Sequence, residues 1–202
     1  MTTDRTNGGR RPRGPGDPDR RTRIAHAAIA VVAERGVEGL THRAVAAFAG
    51  VPLGSTTYHF ASLDDLLGVA LDTAAQDNIR RLRDWEAGLP ADADLAVALA
   101  DLVMSSLSGE ERPRAVVEYE LYVAALHRAP LRAASAAWDA ALTELFASRT
   151  DPLTGRLLAA TFCGLVMQAL LADPAPDRAG IEELFRRAVA GYQPAGGPAG
   201  AG

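Results

Sequence analysis

The chain contains no lysine; all 21 of its basic residues are arginine. It holds one cysteine, and aromatic residues make up 5% of its 202 positions. The single cysteine excludes an internal disulfide. Cys163 lies in the apolar run LLAATFCGLVMQALLA with no histidine nearby, so it reads as a small packed hydrophobe rather than a ligand or nucleophile. No segment alternates apolar and polar residues with period two, which removes the signal of a half-buried strand. His26, His42, His59 and His127 form no H-E-x-x-H spacing, and the chain has no G-x-S-x-G, phosphate loop or dinucleotide glycine fingerprint. A helical enzyme is therefore disfavoured, and neither metal nor cofactor is expected. The uncharged run 157–172 is shorter than the ~20 residues that span a bilayer, and Thr161 and Gln168 interrupt it. The N-terminus is rich in Arg, Gly and Pro and has no apolar leader core. The expectation is a cytoplasmic protein with no membrane partner.

Helical periodicity is present instead. Hydrophobic residues are 48% of the chain, alanine is abundant, and apolar residues recur at helical spacing, which predicts an all-α fold of about nine helices. Residues 1–18 (MTTDRTNGGRRPRGPGDP) predict a disordered arginine-rich arm. A first helix follows through RRTRIAHAAIAVVAER, with Asp17 or Asp19 as cap, Ile24, Ala28, Val31 and Val32 on one stripe, and Gly36 beyond its end. Thr41 caps HRAVAAFA, Gly50 ends it, and Pro52 suits the first turn of LGSTTYHF. Ser62 and Asp65 make a capping-box start for a helix that keeps its apolar stripe to about Leu82. Further helices are predicted over 93–108, 112–128, 130–149, 152–172 and 179–191, with a flexible tail at 194–202.

Charge is unevenly spread. Residues 1–60 carry nine arginines and five acidic residues, whereas residues 61–202 carry twelve and twenty. A basic end on an acidic body suggests a localised anion-binding face; the alternative is an arginine-rich arm without a role.

Two short helices around a glycine turn are a helix-turn-helix pattern. Ala46 is small where the second helix crosses, Gly50 supplies positive φ, Val45, Phe48 and Val51 are predicted core, and Thr56 turns inward. Around these residues the sequence resembles the TetR-like transcriptional regulators. The resemblance runs from about Arg20 to Leu67 and rests on GVEGLTHRAVAAFAGVPLGSTTYHFASLDDLL. The family shows G-hydrophobic-x-x-h-T, then A-x-x-x-G-V-S-x-G-x-h-Y-x-H/Y-F, then S-K-x-x-L. Three positions depart from the pattern: Leu53 and Leu63 stand where lysine is frequent, and Thr57 where a phosphate-reaching tyrosine is common.

The resemblance implies a helix-turn-helix domain over 19–66 and an effector-binding and dimerisation domain over 67–193. Its expected partners are a double-stranded DNA operator, a second copy of the chain and a small-molecule effector. On the DNA side the candidates are Thr41, His42, Arg43, Leu53, Ser55, Thr57, Tyr58 and His59, with Ser55 first for base contact and Phe60 as core. For an effector pocket they are Trp85, Met104, Glu118, Tyr119, Tyr122, His127, Trp138, Phe162 and Met167, residue types that equally suit plain core. Glu118 and Tyr122, four apart, are polar anchors if inward and surface if outward. The resemblance places the dimer face on the last two helices, at Leu153, Leu157, Ala160, Gly164, Leu165, Gln168, Leu171, Ile181, Leu184, Phe185 and Ala188. The function implied is a homodimeric regulator, a repressor released from a pseudo-palindromic operator by its effector. The alternative is a helical small-molecule binder with weak or lost DNA binding.

Overall fold

The computed structural model describes residues 19–191; residues 1–18 and 192–202, which include the expected arm and tail, lie outside the described residues. Among the described residues there are nine α-helices and no strand. They are α1 (Arg20–Arg35), α2 (His42–Ala49), α3 (Leu53–His59), α4 (Leu63–Gly88), α5 (Leu95–Ser105), α6 (Glu111–Ala124), α7 (Arg132–Ala147), α8 (Pro152–Leu171) and α9 (Arg178–Val189). Short 3₁₀ turns at Val37–Gly39 and Ala129–Leu131 precede α2 and α7.

Local chemistry sets the helix boundaries. Thr41 Oγ1 accepts from the Ala44 amide at 3.1 Å and opens α2. Gly50 closes it in the left-handed region at φ 64°, its amide and that of Val51 donating back to the carbonyls of Ala47 and Ala46. Pro52 is the residue before α3 rather than part of its first turn. Ser62 and Asp65 form a reciprocal capping box at 3.0 and 3.1 Å. Asp151 and Asp177 cap α8 and α9 through their carboxylates.

Two hydrophobic clusters hold these helices, and α4 belongs to both. Its first half places Leu66, Leu67, Ala70 and Leu71 against Ile24, Ala28, Val31, Val32, Val45 and Phe60. Its second half places Ala75, Ile79 and Leu82 against α5, α7 and α8. Burying one such Leu, Ile or Phe stabilises by roughly 1.5–3 kcal/mol. The first cluster also takes Val117 and Leu121 from α6 and Leu131 from the turn before α7. The boundary expected at 66/67 therefore falls inside α4, and α1 to α3, called the reading head below, share their core with the body.

Three expectations about burial change. Phe48, expected in the core, is 55% exposed; on a helix of eight residues only Val45 and Ala46 face fully inward. Ile181 and Phe185, expected at a dimer face, are buried in the chain's own second cluster. Helix α9 lies against α5 as well as α8, so its main apolar stripe is covered within one protomer. Leu165 and Ala188 pack partly against the same cluster, whereas Leu153, Leu157, Leu171 and Leu184 remain exposed. Helix α8 is long and apolar enough to cross a membrane by length and composition; here Leu158, Ala159, Phe162 and Val166 bury one side of it in the body.

Candidate DNA interface and effector cavities

α3 packs against α2, and its Thr56 is fully buried and donates its hydroxyl to the Leu53 carbonyl at 2.8 Å. The Thr57 hydroxyl donates to the Gly54 carbonyl at 3.3 Å. These bonds leave Leu53, Thr57 and Tyr58 on the exposed side, Tyr58 being 84% exposed. Ser55 and His59 are half-buried, and the His59 ring meets Tyr58 edge-on at 5.1 Å. Phe60 is core, with the Arg21 guanidinium 5.0 Å over its ring. At the start of α2, Thr41 and Arg43 are exposed, while His42 is half-buried with Nδ1 enclosed and without a hydrogen-bond partner. The eight residues expected to face DNA thus gather on two adjoining helices.

The reading head is tied to the body. Arg128, just after α6, reaches Asp64 in the first turn of α4 at 2.6 Å and Glu38 at 3.5 Å. The Asp64 carboxylate holds the Arg128 pKa above its ordinary value. Further along α4, Asn78 and Arg81 each donate to Glu118 of α6 at 2.8 Å. Burial raises the Glu118 pKa to about 7, against the opposing pull of Arg81.

Three hollows surround Tyr119. A cavity of about 230 Å³ lies between α4, α5, α6, α7 and α8, walled by Asn78, Arg81, Leu102, Glu118, Trp138, Phe162 and Val166. A second, of about 410 Å³, lies between α6, α7 and α8, with Tyr122, Trp138, Asp139, Arg156, Cys163 and Met167 on its walls. There the Tyr122 hydroxyl meets both Asp139 oxygens at 3.1 Å, and Tyr119 donates to the Cys163 carbonyl at 3.1 Å. Burial raises the Tyr122 pKa to about 12 and the Cys163 pKa to about 11. The third is an open groove of about 1100 Å³ under the reading head, bordered by Glu38, Asp64, His127, Arg128, Met167 and Leu171. Trp138 and Phe162 are both core and cavity wall. Trp85 and Met104 pack against the second cluster and line none of the three hollows. Asn78, Arg81, Asp139 and Arg156 were not anticipated. The polar pair Asn78 and Arg81 beside the stripe at Ile79 and Leu82 was the available signal for the first cavity; nothing local pairs Tyr122 with Asp139. Among the described residues no cluster of His, Cys, Asp or Glu is arranged to hold a metal.

Residues 90–191 match the family described as Tetracyclin repressor-like, C-terminal domain. The chain belongs to the TetR family of transcriptional regulators. Solved structures agree with this assignment over nearly their whole length. The multidrug binding protein EbrR complexed with ethidium is 46% identical with a TM-score of 0.77, and the alignment covers 85% of this chain and 99% of that one. A TetR family member from Streptomyces coelicolor A3 is 45% identical with a TM-score of 0.73, covering 85% and 98%. The HTH-type transcriptional regulator PksA of Bacillus subtilis (strain 168) is 37% identical over 65 residues, a match spanning 32% of this chain and 32% of that relative. In this TetR-family chain, α2 and α3 form the helix-turn-helix and the hollows lie in the helical body behind it.

Proposed function

We propose that this regulator binds a pseudo-palindromic DNA operator as a homodimer, acts as a repressor, and is released by a small aromatic cation. The observation that carries the DNA reading is α3 itself: the left-handed turn at Gly50 and the buried Thr56 leave Leu53, Thr57 and Tyr58 outward on one short helix. Such a helix suits the major groove. Arg43 and Thr41 flank it at the start of α2, in reach of phosphate or base edges.

A second copy would pair along α8 and α9. Leu153, Leu157, Ala160, Gly164, Gln168 and Leu171 recur at helical spacing on the side of α8 away from its buried residues, with Leu184 exposed on α9. Two reading heads would then meet half-sites roughly 34–36 Å apart or somewhat wider.

The effector reading rests on the cavity that joins Tyr122 and Trp138 to the Asp139 carboxylate. Aromatic faces and a carboxylate suit a planar cation. EbrR has been solved with ethidium, with proflavin and with malachite green. Release would pass through Tyr119 and Trp138, which wall both this cavity and the first, to α4, whose second half walls the first cavity and whose first half sits in the core of the reading head. A coupling of ~1–3 kcal/mol between effector and DNA weakens operator binding by about 5–150-fold.

The test is selection of bound fragments from sheared genomic DNA, followed by ethidium titration of the complex. The expected result is enrichment of sequences with two-fold symmetry and their loss as ethidium is added. Retention no stronger than on random DNA would leave the alternative, a small-molecule binder without an operator, to which the low basicity of α3 lends weight.

A further inference from the structure

Residues Leu53 to His59 read LGSTTYH, and none of these side chains can grip a base edge with two hydrogen bonds. Guanine is held that way by Arg or Lys, adenine by Asn or Gln, and cytosine donates to Asp or Glu. α3 has none of these, and no arginine occurs between Arg43 and Arg80. Beside the Tyr58 ring, what α3 presents outward is Leu53 and Thr57. Leu53 is 45% exposed. Thr57 is exposed four residues later, hence on the same face. Its hydroxyl proton is already given to the Gly54 carbonyl, which leaves a methyl group and lone pairs for a partner.

Resting on the DNA-binding reading above, we infer that α3 reads thymine through its 5-methyl group, by Leu53 and Thr57, and that guanine recognition falls to Arg43. The thymine methyl projects only into the major groove and is the one apolar group on a base edge there. Four residues at about 1.5 Å each put Leu53 and Thr57 about 6 Å apart along α3. That distance spans between one and two base steps of about 3.4 Å. Each half-site therefore carries neighbouring or next-neighbouring T·A pairs under α3, with a G·C pair to one side under the first turn of α2. Arg43 is exposed there and is the arginine nearest to α3 in sequence.

The test uses the full chain and the operator recovered by selection. Each thymine of one half-site is replaced singly by deoxyuridine, which removes the methyl and leaves the hydrogen-bonding edge intact. Affinity falls about fourfold at one or two positions, the factor equivalent to ~0.8 kcal/mol for one buried methylene-sized group. Leu53→Ala removes the difference at one position. Thr57→Ser removes it at the other, and Thr57→Val, which keeps the methyl and loses the hydroxyl, retains it. Replacing guanine by 7-deazaguanine weakens the wild type at one position and leaves Arg43→Ala unaffected. An operator bound tightly but indifferent to deoxyuridine at every position overturns the inference and leaves the DNA-binding reading standing. Sensitivity kept by Thr57→Ser and lost by Thr57→Val overturns the methyl role of Thr57. A chain that enriches no sequence ends both readings. The wild-type measurements need no variant to fold, and the three substituted side chains, Leu53, Thr57 and Arg43, are exposed.

Discussion

Arg81 and Glu118 meet across α4 and α6 at 2.8 Å, Nη2 to Oε1, with the Glu118 residue 7% exposed. Asn78 takes the other carboxylate oxygen from the same side. The carboxylate is thus satisfied but removed from water, and the two effects pull its pKa in opposite directions. Desolvation wins, and the value rises from 4.5 to about 7.

That shift gives stability a signed pH dependence. The folded chain binds the Glu118 proton more tightly than the unfolded chain does. Its contribution is fully present below pH 4.5 and is lost as pH rises through about 7. Glu118→Gln keeps the amide-sized shape and cannot ionise. Melting temperatures of wild type and Glu118→Gln between pH 5 and 8 should therefore converge or favour the wild type at the acid end, and move towards the variant at the alkaline end. Parallel profiles would mean that Glu118 is ionised throughout.

The turn of the reading head makes a second comparison. Gly50 sits at φ 64°, whereas Gly54 is helical, and an added Cβ meets nothing within 4 Å at either site. Space is therefore equal and only backbone conformation differs. Gly50→Ala should lower stability by about 1 kcal/mol through the left-handed strain. Gly54→Ala should raise it by roughly 0.5–1 kcal/mol through helix propensity. Urea midpoints of the two variants should move in opposite directions.

Arg149 offers a third. Its guanidinium donates to the Glu86 carboxylate at 2.6 Å and to the carbonyls of Glu86, Leu89 and Pro90 at 2.8, 3.1 and 3.0 Å. It thereby ties the last turn of α4 to the end of α7. Lys carries the charge but not the planar fork. Arg149→Lys should lose much of the stability that Arg149→Ala loses, on the order of 1–3 kcal/mol, with faster amide exchange confined to the end of α4.

What the sequence disclosed follows the range of the interactions involved. Thr41 and Ser62 act as caps on neighbours three residues away, and both were legible. Gly50 was legible for the same reason, as was the inward Thr56, which the motif fixes. Phe48 was misplaced because an eight-residue helix leaves too few positions for periodicity to choose a face. Ile181 and Phe185 were misplaced because an apolar stripe does not say whether its cover comes from the same chain. The meetings of Tyr122 with Asp139 and of Arg81 with Glu118 join residues 17 and 37 positions apart. No local pattern encodes them.

Two glycines of α8 separate the packing within a protomer from the proposed packing between protomers. A Cβ on Gly155 would stand 2.6 Å from the Ala147 amide nitrogen and 2.7 Å from its Cα, whereas one on Gly164 meets nothing within 4 Å. Backbone cannot yield as a flexible side chain does, so Gly155→Ala forces α7 and α8 apart and should cost about 1–3 kcal/mol. Gly164→Ala improves helix propensity and, for an isolated chain, should stabilise slightly. Gly164 lies between Leu157 and Leu171 on the side of α8 proposed to meet a second copy. If that helix packs closely there, the added methyl intrudes on the partner. Sedimentation should then give weaker self-association for Gly164→Ala than for wild type, with the fold intact by circular dichroism. Equal association would move the contact off Gly164.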